Sequence, residues 1–525
     1  MKPEISGNAS KNCLIVFLGI TLSVQSGLAA SGMFPKMPVA TNLYCVHCRG
    51  DSKDGKMTAL ALQGLINQSS AEAYVDLASL NHEQLALGGR TYVDLPLPRG
   101  NDRGLRTLFK KYQGRVKKMI LYDPAKDWTW YIALMAAAQQ NGIPVTESIK
   151  TTLIAEFGWK GEVEDYRDRW DNRIQAYDWA LAKLMPNCSK KVVFTLKYGY
   201  PLFDYIVATK GFVFLLDFEK NPVEEKELEK FFKTGGYTVG TSLMGYAGDD
   251  ANTVANKFGI GYVVSDWYAN GSYWSSFPNK TYKQLPGHAV KAVPGKIYVA
   301  INWSDGDNIQ IDQIATYILW KDPARGSVPV GTTLSPTLQE LNSPLMDWFY
   351  SNLTTNDELL AGPSGVQFIY GRDFNEALFP AWCKLNREWI DDAGFRTTCV
   401  WHTDYPSPKY STYIATCGLT GILNGGNSIK IRYDEGLPVM DEGGAVWSEK
   451  EVFDRLSKVP VNQRTPVFIG FKCIVGSFVK GNDGYAKIKR QVDRLNAAYP
   501  GRFVFLLPRD MFATIRDYCQ LPQQP

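Results

Sequence analysis

What most constrains this 525-residue chain is an alternation of strand and helix signals that begins after Pro294. Seven short apolar or β-branched runs follow one another: Lys296–Trp303, Val328–Thr332, Val366–Tyr370, Arg396–Trp401, Gly421–Asn424, Pro466–Lys472 and Arg502–Leu507. Most are separated by stretches of helical periodicity, such as Ile309–Trp320, Pro380–Ala393, Glu449–Ser457 and Gly484–Ala498. A strand that returns through a helix meets the next strand in parallel, so the repetition predicts an α/β fold with a parallel sheet. Because the pattern shows no switch, residues 294–519 are expected to close, or nearly close, into a (β/α)7-type barrel.

The preceding half reads as smaller α/β pieces, at 31–115, 116–190 and 191–290. Val116–Tyr122, the helical stretch Trp128–Asn141 and Ile143–Thr146 form a βαβ unit. Further short strands are expected at Val192–Leu196, Phe212–Leu216, Tyr237–Val239 and Gly261–Ser265. Asp249-Asp250 lies near the start of the helix between the last two, where carboxylates suit the helix dipole. None of these turns carries a glycine-rich phosphate fingerprint, so a scaffold role is favoured there. A linker-like stretch runs from Phe277 to Gly295.

The N-terminus has the pattern of an export signal over residues 1–30. Lys2 and Lys11 precede the apolar run Cys13–Val24, and the small residues Gly27–Gly32 offer a cleavage site. The expected location is therefore periplasmic or extracellular. The apolar run is short of the ~20 residues a span needs, so no stable membrane span is expected. A net charge of +4 without a basic run leaves no nucleic-acid footprint. Four histidines, with no H-x-x-x-H or H-E-x-x-H pair, argue against a multi-histidine zinc centre. Cys45-Val-His-Cys48 has no second Cys-x-x-Cys, and a local disulfide or two quiet thiols is favoured over redox chemistry.

A β/α barrel carries its active site at the C-terminal ends of its strands. Applied here, that rule collects Trp303, Asp305, Asp307 and Asn308 after the first strand. It adds Tyr370, Arg372 and Asp373 after the third, Trp401, His402, Asp404 and Tyr405 after the fourth, and Lys472 at the end of the sixth. Asp305-Gly-Asp307 is the sharpest feature. Its carboxylates could divide acid and base roles, hold an oxygen-ligated divalent cation, or merely cap backbone amides, with Gly306 allowing a tight turn. Trp303, Tyr370, Trp401 and Tyr405 supply flat faces on which the C–H side of a sugar ring can stack. No G-x-S-x-G elbow supports serine catalysis.

Leu62-Gln-Gly-Leu-Ile-Asn67, Ser265-Asp266, Ser304-Asp-Gly-Asp-Asn308, Val328-Pro329, Ser335-Pro336 and Gly362-Pro-Ser-Gly365 together resemble the GxGYxYP family of exported glycoside hydrolases. The eponymous motif falls on Gly365–Gly371, where Gly365 and Tyr370 match, while Gln367, Phe368 and Gly371 depart from it. The resemblance implies small N-terminal α/β subdomains before a barrel similar to the glycoside hydrolase/deacetylase type. It also implies an oligo- or polysaccharide partner. The expected activity is glycosidic cleavage by a carboxylate pair drawn from Asp305, Asp307, Asp373 and Asp404, with Trp303, Asn308, Tyr370, Arg372, Trp401, His402 and Lys472 binding substrate. Such a reaction requires no cofactor. The alternatives are a metal-dependent carbohydrate deacetylase or esterase, and a glycan-binding protein without catalysis.

Overall fold

The computed structural model describes residues 32–216, 221–400, 407–424, 431–434, 437–442 and 444–520. Residues 1–30, expected to be an export signal, lie outside them. Three small parallel sheets come first. β1 (Tyr44–His47) lies between β2 (Ala73–Asp76) and β3 (Val93–Asp94), and β4 (Lys118–Leu121) between β5 (Gly142–Val145) and β6 (Glu162–Asp165). The third sheet holds β7 (Val192–Leu196), β8 (Phe212–Phe214), β9 (Ser242–Tyr246) and β10 (Gly261–Val264), in the order β10-β9-β7-β8.

The helix Lys53–Asn67, almost wholly buried, joins these units. A Cβ at Gly64 would lie 2.3 Å from the carbonyl oxygen of Asp204, so only glycine lets this helix cross the helix Phe203–Thr209 so closely. Gln63 and Asn67, from the same turns, donate to the Asn270 side chain (2.8 Å) and the Ser272 hydroxyl (2.8 Å). The Leu62–Asn67 motif thus fastens the segment that follows β10.

The second half curls a larger sheet. β11 (Ile297–Ser304) is flanked along its whole length by β19 (Val467–Ile474). On its other edge β20 (Phe503–Leu506) pairs with Ile297–Ala300, and β12 (Val330–Leu334) pairs with Asn302–Trp303. The sheet continues through β13 (Asp357–Ala361), β14 (Thr397–Val400) and β15 (Gly421–Asn424). β16 (Ile431–Asp434) and β17 (Leu437–Asp441) form an antiparallel hairpin, with β17 parallel to β15, and β18 (Ala445–Val446) lies parallel to β19. Only residues 442–444 separate β17 from β18, so the two ends of the curl are consecutive in the chain.

The expected third strand at Val366–Tyr370 is corrected by β13. Asp357 and Glu358 sit in the first positions of β13 and hide its apolar character. Both are buried, Asp357 against Arg325 and Glu358 as acceptor of the Arg509 backbone N–H at 2.7 Å. Residues 366–370 instead form an irregular segment, touching the third sheet through a Tyr262–Phe368 bridge. Tyr237–Val239 likewise precedes its strand, since Gly240 at φ 95° turns the chain before β9 begins.

Side-chain alternation divides the two faces of β11. Ile297, Val299, Ile301 and Trp303 join the large core shared with the helices, whereas Tyr298 and Ala300 face the inside of the curl. There they meet Leu360, Cys399, Leu423, Met440 and Phe468, plugged by Met511, Phe512 and Ile515 of the helix Pro508–Cys519. Above this apolar plug the lining turns polar: Asn302 donates to Glu442, whose other oxygen lies 3.7 Å from Lys472 Nζ. Truncating Phe512 to Ala should open a cavity in the plug and cost ~3–5 kcal/mol in urea unfolding. An unchanged midpoint would show that the helix is not part of the core.

Candidate active site

The third small sheet and the parallel part of the curled sheet meet with their C-terminal strand ends facing one cleft. β11 delivers Asp305, Asp307 and Asn308; β9 and β10 deliver Asp249 and Asp266. A parallel bridge between Val264 and Asn308 joins the two ends directly. The first helical turns after Asn308 reinforce the junction. Gln310 donates to Asp266 at 2.9 Å, and Gln313 both accepts from the Ala269 N–H (3.0 Å) and donates to its carbonyl (3.2 Å). Asp312–Thr316 forms a π-helical turn, a feature enriched at functional sites.

The cleft has a volume of about 760 Å³ and is open to solvent. Four carboxylates and Asn308 line it together with Tyr200, Tyr246, Trp267, Phe368, Tyr370 and Trp447. Trp267 and Trp447 are 53% and 57% exposed, so neither belongs to a core, and each stands on a different wall. Trp267 meets Tyr200 edge to face at 4.8 Å between ring centres.

Backbone contact sets the position of the acidic pair. A Cβ on Gly306 would fall 2.2 Å from the Thr333 carbonyl, and one on Gly362 would fall 2.5 Å from the Asp307 nitrogen. The tight turn expected here forms, closed by the Asn308 N–H on the Asp305 carbonyl at 3.1 Å, and Gly306 also permits this close approach. The Thr333 hydroxyl accepts from the Gly306 N–H at 2.9 Å and donates to the Trp303 carbonyl at 2.8 Å, fixing the strand tip.

The carboxylates experience different fields. Burial raises the Asp305 carboxyl, but the Lys472 ammonium beneath it and the Ser304 hydroxyl (3.3 Å) oppose the rise. Asp307, only 6% exposed, is driven well above the usual range by burial and by the adjoining charges of Asp305 and Asp249. Its Oδ1 accepts from Asn308 at 3.1 Å. Burial pushes Asp266 up to about 6, against its own backbone N–H, that of Trp267 and the Gln310 amide. Such a set of carboxyls, held apart in proton affinity within one cleft, suits proton transfer to and from a bound ligand.

Three family models match: the GxGYxYP "putative glycoside hydrolase" C-terminal domain over residues 295–463, the second N-terminal domain over 116–188 and the third domain over 191–276. The chain belongs to the GxGYxYP family. A crystal structure of a "putative hydrolase" from Bacteroides thetaiotaomicron has the same fold, with a TM-score of 0.78 and 20% identity over 94% of this chain and 98% of that one. A "putative polysaccharide deacetylase" from Mycobacterium smegmatis aligns over 46% of the chain with a TM-score of 0.33, too low to carry an argument. No curated protein matches.

Of the residues anticipated from sequence, Asp305, Asp307, Asn308 and Tyr370 line the cleft. Lys472 lies fully buried below it beside Glu442 and acts on Asp305 through its charge. Trp303 faces away, edge to face with Phe478 and Tyr485. Asp373 turns to the side chain of its neighbour Arg372 at 3.0 Å, and neither lines the cleft. Trp401, His402, Asp404 and Tyr405 lie outside the described residues. Asp249 and Asp266 were missed because the strand-end rule was applied to the barrel alone, although Ser265-Asp266 already ended an expected strand. In this GxGYxYP member Gln367 replaces a motif glycine and is buried, bonding the Thr241 carbonyl (2.9 Å), Ser242 (2.7 Å) and the Trp382 indole (3.1 Å).

Since the folded protein holds the Asp266 proton more tightly than the unfolded chain, this group's contribution to stability is greatest below its ordinary pKa. It is lost as pH rises through about 6. Asp266→Asn should therefore flatten the decline in urea-unfolding stability between roughly pH 4 and pH 6. An identical slope in both proteins would contradict the assignment.

Proposed function

We propose that this protein is an exported glycoside hydrolase that cleaves oligo- or polysaccharides in the cleft at Asp305 and Asp307. The observation that carries the reading is the pairing of unequal carboxyls with solvent-facing tryptophans in one open groove. An acetal needs a proton on its leaving oxygen and a nucleophile or activated water at the anomeric carbon. Asp307, whose carboxyl is held well above the usual range by burial and by the charge of Asp305, serves as the acid. Asp305, with the Lys472 ammonium opposing its protonation, is the anionic partner that attacks or activates water. Asp266 and Asn308 bind hydroxyls, and Trp267 and Trp447 offer apolar faces to flanking sugar rings. No bound cofactor is needed for this chemistry. The charged, then apolar, then small-residue pattern of residues 1–30 supports export to the periplasm or beyond.

A panel of oligosaccharides and aryl glycosides, scored for new reducing ends, tests the reading. On any substrate that is cleaved, Asp307→Asn and Asp305→Asn should each lower kcat by ~10²–10⁴-fold, the range for loss of a proton-transfer group. Trp267→Ala should raise KM more than it lowers kcat. Near wild-type turnover in both aspartate variants would refute the assignment. Chelator-sensitive release of acetate without new reducing ends would replace glycosidic cleavage by deacetylation.

A further inference from the structure

The first small sheet carries a second cluster of reactive side chains. Cys45, His47, His82 and Asp94 place one ligating atom each within 4.8 Å of all the others, a set assembled among the described residues from three separate elements. Strand register explains half of it. Cys45 and His47 lie two residues apart on β1 and so share a face, and Asp94 of β3 is the register partner of Cys45. His82 comes from the helix Ser79–Leu85, in the connection between β2 and β3. Cys48 takes no part; its sulfur lies against Gly104. Both cysteines are thiols, as one of the two sequence readings allowed.

The geometry points to a site for one divalent transition-metal ion of the zinc class, bound through Cys45 Sγ, His47 Nε2, His82 Nδ1 and an Asp94 carboxylate oxygen. Donors at 2.0–2.3 Å from a tetrahedral ion are roughly 3.3–3.8 Å from one another. Here Cys45 Sγ lies 4.0 Å from His82 Nδ1, and His47 Nε2 lies 3.3 Å from Asp94 Oδ1. The supporting residues are already in place. His47 Nδ1 donates to the buried Asp76 carboxylate at 2.6 Å, which leaves Nε2 its lone pair, and Arg49 locks that same Asp76 oxygen at 2.7 and 2.9 Å. A carboxylate behind a ligating histidine in this way sets its tautomer and raises its basicity. On binding, the Cys45 thiol releases its proton to solvent. The thiolate and the Asp94 carboxylate then balance the two charges of the ion.

Four histidines in the sequence argued against such a centre, yet two of them converge here with a thiol and a carboxylate. The ion would tie the β2–β3 connection to β1. It would also brace the main cleft, because Gln84 of the same helix donates to the Gln313 carbonyl and Glu83 accepts from Tyr317.

Cobalt(II) titration of the chelator-stripped, full-length protein tests the site. The expected result is a saturable thiolate-to-cobalt charge-transfer band with tetrahedral visible bands at one ion per chain, displaced by zinc. Cys45→Ser should abolish the thiolate band. As Cys45 is buried and that variant could misfold, the more accessible His82→Gln and Asp94→Asn serve beside it, and each should weaken binding. Asp76→Asn, which does not touch the ion, should weaken it by ~10–100-fold. Asp305→Asn should leave the band unchanged, which separates this site from the cleft. Absence of a thiolate band in natively folded protein, or a band undiminished in His82→Gln and Asp94→Asn, would overturn the proposal.

Discussion

The junction between Val264 and Asn308 organises the rest of the molecule. One backbone bridge, reinforced by Gln310 on Asp266 and Gln313 on Ala269, sets the strand ends of a small sheet against those of the curled sheet. Neither sheet alone has a complete cleft: the barrel supplies Asp305, Asp307 and Trp447, and the smaller sheet supplies Asp249, Asp266 and Trp267. The crossing at Gly64 and the bonds from Gln63 and Asn67 to the 270–272 segment hold the smaller wall in place from behind.

The electrostatics follow from what lies beneath the mouth. The lower barrel is filled with apolar side chains, so the polar groups above it sit in a medium that penalises charge. There Asn302 donates to Glu442, Glu442 faces Lys472 at 3.7 Å, and the Lys472 charge acts on Asp305. Asp307 is raised instead by its burial and by the neighbouring charges of Asp305 and Asp249. Two aspartates separated by one glycine thus acquire different proton affinities from their surroundings, which is the requirement for dividing acid and base roles.

Much of this was legible in the sequence, and the failures have identifiable physical causes. Parallel strands buried on both faces read as apolar runs, so β11, β14 and β19 stood out. β13 did not, because its buried Asp357 and Glu358 look like surface residues until Arg325 and Arg509 are seen beside them. Asp305 and Asp307 followed from their place at a strand end. Trp303 was misassigned by the same rule, although period-2 alternation puts it on the face opposite Asn302, toward the helices. Asp249 and Asp266 needed the recognition that a second sheet could present its strand ends to the same space. The convergence of His82 and Asp94 on Cys45 and His47 depends on register between strands distant in sequence, which composition and motif spacing do not encode.

The two sheets form one cleft around the Asp305–Asp307 pair, which we propose binds sugar. A crystal structure of the Asp307→Asn protein soaked with an oligosaccharide taken from the panel tests it most directly. A sugar ring is expected between Asp305 and Asp266, with a neighbouring ring on Trp267 or Trp447. An oligosaccharide bound elsewhere on the molecule, with the cleft filled only by water, would contradict it.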